Sequence, residues 1–129
     1  MKRLAELSSE IDKCVRCGTC RSTCPTFKVI GRETSCARGR VTLIAEHMKG
    51  GVGLTETYLK HLKECTLCGA CKSKCPNGVD TVAIFAAARR EATEKKGVPF
   101  AASVIFRNLL ASGGILSLGV KLATRLQGL

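Results

Sequence analysis

The stretch Cys14-Val15-Arg16-Cys17-Gly18-Thr19-Cys20-Arg21-Ser22-Thr23-Cys24-Pro25 recurs in spacing as Cys65-Thr66-Leu67-Cys68-Gly69-Ala70-Cys71-Lys72-Ser73-Lys74-Cys75-Pro76. Each copy reads C-x2-C-x2-C-x3-C-P, and eight of the nine cysteines fall within the repeat. Three cysteines at these intervals cannot all project from a regular helix toward one point, whereas a tight loop can wrap them around a corner of a cuboidal cluster. The spacing is that of the bacterial run that holds [4Fe–4S] clusters, whose fourth cysteine ligates the other cluster of a pair. On that pattern Cys14, Cys17, Cys20 and Cys75 are the expected ligands of one cluster, and Cys65, Cys68, Cys71 and Cys24 those of the second. The expected cofactors are two [4Fe–4S] clusters, and the expected chemistry is single-electron transfer. Gly18 and Gly69 follow the second cysteine of each copy, where positive φ lets backbone N–H groups approach the sulfurs.

Zinc sites usually pair two CxxC units or mix Cys with His, and a tripled CxxCxxC ending in x3-Cys-Pro departs from that habit. A zinc-binding interaction module is the alternative of a different class. Disulfides fit less well, because the cysteine count is odd and residues 1–13 lack the continuous apolar run of a secretory signal. A reducing cytoplasmic location is expected, with association at the inner face of a membrane as an extension of it. No nucleophile–base set, phosphate-binding glycine loop or pair of catalytic carboxylates stands out, so no bond chemistry is expected of the chain itself.

The 129 residues suffice for one small domain with an appendage. Its core inventory is thin, with no Trp, one Tyr and four Phe, and metal binding would supply folding free energy. The formal charge of +11 falls to roughly +7 if two four-thiolate clusters of about −2 each are bound. Such a field favours docking to an acidic protein or an anionic membrane surface. With so few aromatic platforms, nucleic acid is not an expected partner.

The fold class predicted is all-α. Leu4, Leu7 and Ile11 form one helical stripe. Val41, Ile44, Ala45 and Met48 repeat the period until Gly50-Gly51, and Tyr58, Leu59 and Leu62 carry it from about Thr55 toward Cys65. Forty residues separate Cys24 from Cys65, far more than a hairpin needs. Asp80 is a credible N-cap for an Ala-rich helix to about Lys95, ended by Gly97. Gly113-Gly114 divides the remainder into helical pieces near 99–112 and 115–127. The expected division is a dicluster domain over 1–97 and an apolar helical tail over 98–129, a linker or partner-docking segment.

Around the cysteines the match extends further. Cys17-Gly18-Thr19-Cys20, Cys24-Pro25-Thr26, Gly31-Arg32-Glu33, Arg38-Gly39-Arg40 and Cys75-Pro76-Asn77-Gly78-Val79 resemble the glycolate oxidase iron–sulfur subunit family. Its relatives include the iron–sulfur component of anaerobic glycerol-3-phosphate dehydrogenase, the lactate-utilisation iron–sulfur proteins and components of heterodisulfide reductase. The resemblance implies an α-helical ferredoxin domain that relays electrons from a flavoprotein 2-hydroxy-acid dehydrogenase of glycolate or lactate type to a downstream acceptor, with quinone among the acceptors considered. It implies a non-catalytic subunit of an oxidoreductase complex, with a heterodisulfide-reductase-C-like protein as the alternative. The family commonly has Pro before Arg-Gly-Arg, where this chain has Cys36-Ala37, and most members continue into a C-terminal region with paired Cys-Cys-Gly motifs.

Outside the repeat, Cys36 reads as a buried, inert thiol because both ligand sets are already full. His47 and His61 read as packing or solvated histidines. Arg38 and Arg40 divide evenly between surface or capping roles and a part in the field around a cluster. Lys60, Lys63, Lys72 and Lys74 form a solvated basic face or a docking face. Residues from Gly97 to Val120 are long enough to span a bilayer, but Arg107-Asn108 and Gly113-Gly114 interrupt them. Packing against the domain or a partner is the reading placed first, before a surface-lying amphipathic helix.

Overall fold

The computed structural model describes residues 3–97 together with 102, 103, 117 and 124. The chain falls into two compact units, Met1–Lys95 and Lys96–Leu129. The expected helical pieces of the tail lie outside the described residues. Those described form helices, turns and loops with no strand among them, and no helix among them is long and apolar enough to cross a membrane.

A 3-10 turn, Leu4–Leu7, leads into α1, Ser8–Asp12. Motif one supplies α2, Cys20–Thr23, and α3, Pro25–Ile30. After a 3-10 turn at Glu33–Ser35 come α4, Ala37–Met48, and α5, Glu56–Lys63. Motif two supplies α6, Ala70–Ser73, and α7, Thr81–Lys96, follows.

The helices α5 and α7 have local causes. The Thr55 hydroxyl accepts the Tyr58 N–H at 3.2 Å and caps α5, satisfying one of the orphan donors of a helix start. Asp80 Oδ1 accepts the Ala83 N–H at 3.1 Å. Gly97, at φ 74°, follows the last turn of α7 in the left-handed region that suits glycine.

The apolar stripes meet in one core: Leu4, Leu7 and Ile11 from the N-terminal segment, Val41 and Ile44 from α4, Tyr58 and Leu62 from α5, Ile84, Phe85 and Ala88 from α7. Burying each large member contributes about 1.5–3 kcal/mol. Arg89 reaches from α7 to the C-terminal end of α5. Its Nε donates to Leu62 O at 2.9 Å and its Nη2 to the carbonyls of Leu62 and Cys65. The C-terminal carbonyls of α5 are thereby capped, and the chain entering motif two is fixed.

Candidate metal centre

The two loops fold alike. Arg16 (φ 57°) and Leu67 (φ 54°) occupy the left-handed region between the first and second cysteines, and Gly18 (φ 87°) and Gly69 (φ 78°) occupy it after the second. For a residue with a Cβ this conformation costs about 1–2 kcal/mol. Only the two glycines are foreseeable from sequence; the strain at Arg16 and Leu67 carries no residue-type signal. The reversals turn all three cysteines of a loop toward one cavity.

The middle sulfurs are matched too. Cys17 has its thiol pKa lowered, first by the Thr19 hydroxyl at 3.4 Å and then by the Thr19 N–H. Cys68 is lowered first by the N–H of Ala70, the residue equivalent to Thr19. Both cysteines are exposed. Hydrogen bonds to sulfur favour the thiolate, the form that ligates metal.

Reciprocal tethers join the repeats. The Thr26 hydroxyl donates to Glu64 O at 3.4 Å, and Asn77 Nδ2 donates to Lys13 O at 3.0 Å. Each donor lies two residues after a Cys-Pro cysteine, and each acceptor lies one residue before the first cysteine of the other repeat. The Asp80 N–H adds a bond to Glu10 Oε2 at 3.1 Å.

The consequence is two cavities of mixed parentage. Cys14, Cys17, Cys20 and Cys75 line the first, with Cys71, Arg38, Val41, Val79 and Thr81. Cys24, Cys65, Cys68 and Cys71 line the second, with Arg40, Val82 and Phe85. Cys71 and Ala37 border both, so the cavities adjoin. The space around them, about 410 and 350 Å³, includes volume open to solvent.

The fit to a thiolate-held, multi-iron group rests on this donor set. Each cavity offers four or more sulfurs beside apolar walls and cations, Lys13, Arg16 and Arg38 at the first and Arg40 at the second, and no carboxylate lines either among the described residues. Those residues contain no group of three His, Cys, Asp or Glu side chains that could hold a single metal ion. Cys71, which lines both cavities, has its pKa raised by burial, with the Thr81 hydroxyl at 3.0 Å opposing.

The first turn of α4 lies between the cavities. Arg38 donates through Nε and Nη2 to the Glu33 carboxylate at 2.5 and 2.9 Å, and through Nη1 to Arg16 O at 3.2 Å. It therefore braces the left-handed residue of loop one. The guanidinium holds the Glu33 carboxyl down at about 2, so the pair stays ionised throughout the neutral range. Gly39 passes so close to Glu33 that a Cβ would lie 2.7 Å from its carbonyl carbon. Arg40 turns inward and is 1% exposed.

Cys36 is fully buried. Its thiol donates to Glu33 O at 3.1 Å and to the Cys20 sulfur, which with the Arg38 N–H draws Cys20 down to about 7 against the effect of burial. Cys36 itself is pushed up, by that bond to Cys20 first and by burial second. It lines neither cavity. His47 packs on the Tyr58 ring at 4.9 Å between centroids, with Nδ1 2.6 Å from Val52 O. His61 is largely buried, 3.5 Å from Glu64, and neither histidine reaches a cavity. Lys60, Lys63, Lys72 and Lys74 are exposed, and Lys72 pairs with Asp80 at 2.7 Å.

Residues 10–79 match the family described as 4Fe-4S dicluster domain. The chain is 39% identical to the glycolate oxidase iron-sulfur subunit of Escherichia coli (strain K12), over 60% of this chain and 19% of that protein. It is 30% identical to the D component of dihydromethanophenazine:CoB–CoM heterodisulfide reductase of Methanosarcina acetivorans, over 78% of this chain and 28% of that protein. It is 37% identical to the iron-sulfur C component of CoB–CoM heterodisulfide reductase of Methanopyrus kandleri, over 66% of this chain and 41% of that protein. The chain thus spans between a fifth and two fifths of these relatives. No solved structure matches it.

Proposed function

Because the chain belongs to the 4Fe-4S dicluster domain family, we propose that it is an electron-transfer subunit, itself without bond chemistry, serving a larger oxidoreductase. Cys14, Cys17, Cys20 and Cys75 hold one [4Fe–4S] cluster, and Cys65, Cys68, Cys71 and Cys24 hold the other. The observation that carries this reading is the mixed parentage of the cavities, each lined by three cysteines of one repeat and the Cys-Pro cysteine of its partner.

Bound clusters supply one-electron redox chemistry. The chain supplies the rest. Its Thr19 and Ala70 N–H groups favour thiolate at Cys17 and Cys68. The shared wall at Cys71 keeps the two centres adjacent, and Cys17 and Cys68 present one edge of each to solvent, where redox partners exchange electrons. The electron donor is a flavoprotein that oxidises a 2-hydroxy acid, by likeness to the glycolate oxidase subunits, and the setting is the reducing cytoplasm, with docking at the inner membrane face as an extension. Residues 1–97 bear the clusters, and 98–129 dock a partner or lead into one. A heterodisulfide-reductase component is the second reading, favoured by matches that cover more of this chain.

Anaerobic iron, zinc and acid-labile sulfide analysis tests the metal. Stoichiometric zinc without sulfide would sink the proposal. The crossing of ligands is tested by EPR of reduced variants. Cys75→Ser should reproduce the spectrum of Cys14→Ser, and Cys24→Ser that of Cys65→Ser; the reverse correspondence refutes the assignment. Reduction of the chain by a co-purifying 2-hydroxy-acid-oxidising flavoprotein supports the first reading, and passage of its electrons to a co-purifying disulfide-reducing partner supports the second.

A further inference from the structure

Arg40 is among the largest fully buried side chains of the fold, and a guanidinium cannot escape the penalty of burial by shedding its proton. Buried charges are ordinarily paired. Among the described residues no carboxylate pairs with Arg40. Its Nε donates to His61 O at 2.8 Å and its Nη1 to Ser35 O at 2.7 Å, both neutral acceptors. Its Nη2 is buried with no partner.

What adjoins this unpaired cation is the second cavity, which Arg40 lines with Cys24, Cys65, Cys68 and Cys71. The Ser35 carbonyl that accepts from Nη1 also faces Cys24 Sγ at 3.4 Å, so guanidinium and sulfur share one acceptor. The first cavity is built differently. Its cations, Lys13, Arg16 and Arg38, are all at least partly open to solvent, and Lys13 and Arg38 are paired with Glu10 and Glu33.

Resting on the dicluster reading above, we propose that Arg40 is the built-in counter-charge of the centre held by Cys24, Cys65, Cys68 and Cys71, and that it raises the reduction potential of that centre well above its effect on the other. Four thiolates around such a cluster leave a charge of about −2, which supplies the missing partner of the guanidinium. A fixed cation in a poorly solvated wall favours whichever redox state carries more negative charge. It does so selectively, because Arg40 lines one cavity and not the other. Nη2 adds a donor for a sulfur of that centre, the kind of bond that tunes such potentials.

The test is an EPR-monitored, dithionite-driven redox titration of the anaerobically loaded wild type, R40Q and R40K. Cys14→Ser and Cys65→Ser assign the two signals. In R40Q the potential of the Cys65 centre should fall by at least a tenfold change in the oxidised-to-reduced ratio at fixed potential, about 59 mV for a one-electron couple. The Cys14 centre should move much less, and R40K should recover most of the difference. Unchanged potentials in loaded R40Q, or equal shifts at both centres, would overturn the proposal. If R40Q fails to load, R40K decides: a loaded second centre near the wild-type potential upholds the role of charge, and failure of both variants makes Arg40 merely structural. A wild type with zinc and no sulfide removes the dicluster reading itself, an outcome distinct from all of these.

Discussion

Gly39 sits between two arginines that serve different cavities, and its backbone runs against that of Glu33 and Thr34. Alanine in an open helix would gain about 1 kcal/mol over glycine. Here the added methyl would meet Glu33 carbonyl atoms, backbone that cannot swing aside. Overpacking costs typically about 1–3 kcal/mol even where neighbours can repack, so sterics win. Gly39→Ala should destabilise the protein by at least about 1 kcal/mol in denaturant unfolding of the anaerobic protein. Gly53→Ala, at a position with open space and no positive φ, should be neutral or slightly stabilising, and equal behaviour of the two would remove the close approach as the reason for glycine. Arg-Gly-Arg is visible in the sequence as a motif. What is not visible there is that one arginine faces outward to Glu33 and the other is interred, because helical period alone leaves the core face of α4 to Val41 and Ile44.

At the scale of elements, α4, α5 and α7 are legible because twelve, eight and sixteen residues give the period of 3.6 room to show. The helices α2, α3 and α6 run four to six residues, about one turn each, too short for any stripe. Asp80 is legible as a cap, and the structure gives it more to do. Its carboxylate caps α7 and pairs with Lys72 of α6, and its N–H bonds Glu10 on α1. Asp80→Ala should therefore cost about 1 kcal/mol or somewhat more, the usual worth of a lost cap. Asp80→Asn, which keeps an acceptor and loses an exposed ion pair of small value, should cost less. The pH dependence has a fixed sign. Lys72 first, and the Ala83 N–H after it, hold the Asp80 carboxyl below its ordinary value of 3.8. Its contribution is complete above about pH 4 and disappears as acid protonates the folded form. A stability difference between wild type and Asp80→Ala that persisted undiminished at pH 2 would contradict this account.

For the whole molecule, the repeat discloses how many thiols there are, and the tethers Thr26–Glu64 and Asn77–Lys13 explain how two distant halves come to share them. Sequence reasoning could not rank the two centres, because their sulfur sets are alike and the difference lies in burial and ion pairing. On the proposed assignment, their surroundings differ. Around the first cavity Lys13 and Arg38 are paired with carboxylates and Arg16 is exposed to solvent, while beside the second Arg40 is buried and, among the described residues, has no carboxylate partner. An electron entering the pair should then settle on the second centre. In a stepwise reductive titration, the EPR signal that Cys65→Ser abolishes should appear at higher potential than the signal that Cys14→Ser abolishes. The same electrostatics predict a second shift. Glu33→Gln frees Arg38 of its counter-charge and should raise the first centre toward the second, narrowing the gap, by less than R40Q lowers the second because Arg38 is partly screened by solvent. A first centre that titrates above the second, with a gap indifferent to both Glu33 and Arg40, would mean that other features of the two loops set the order.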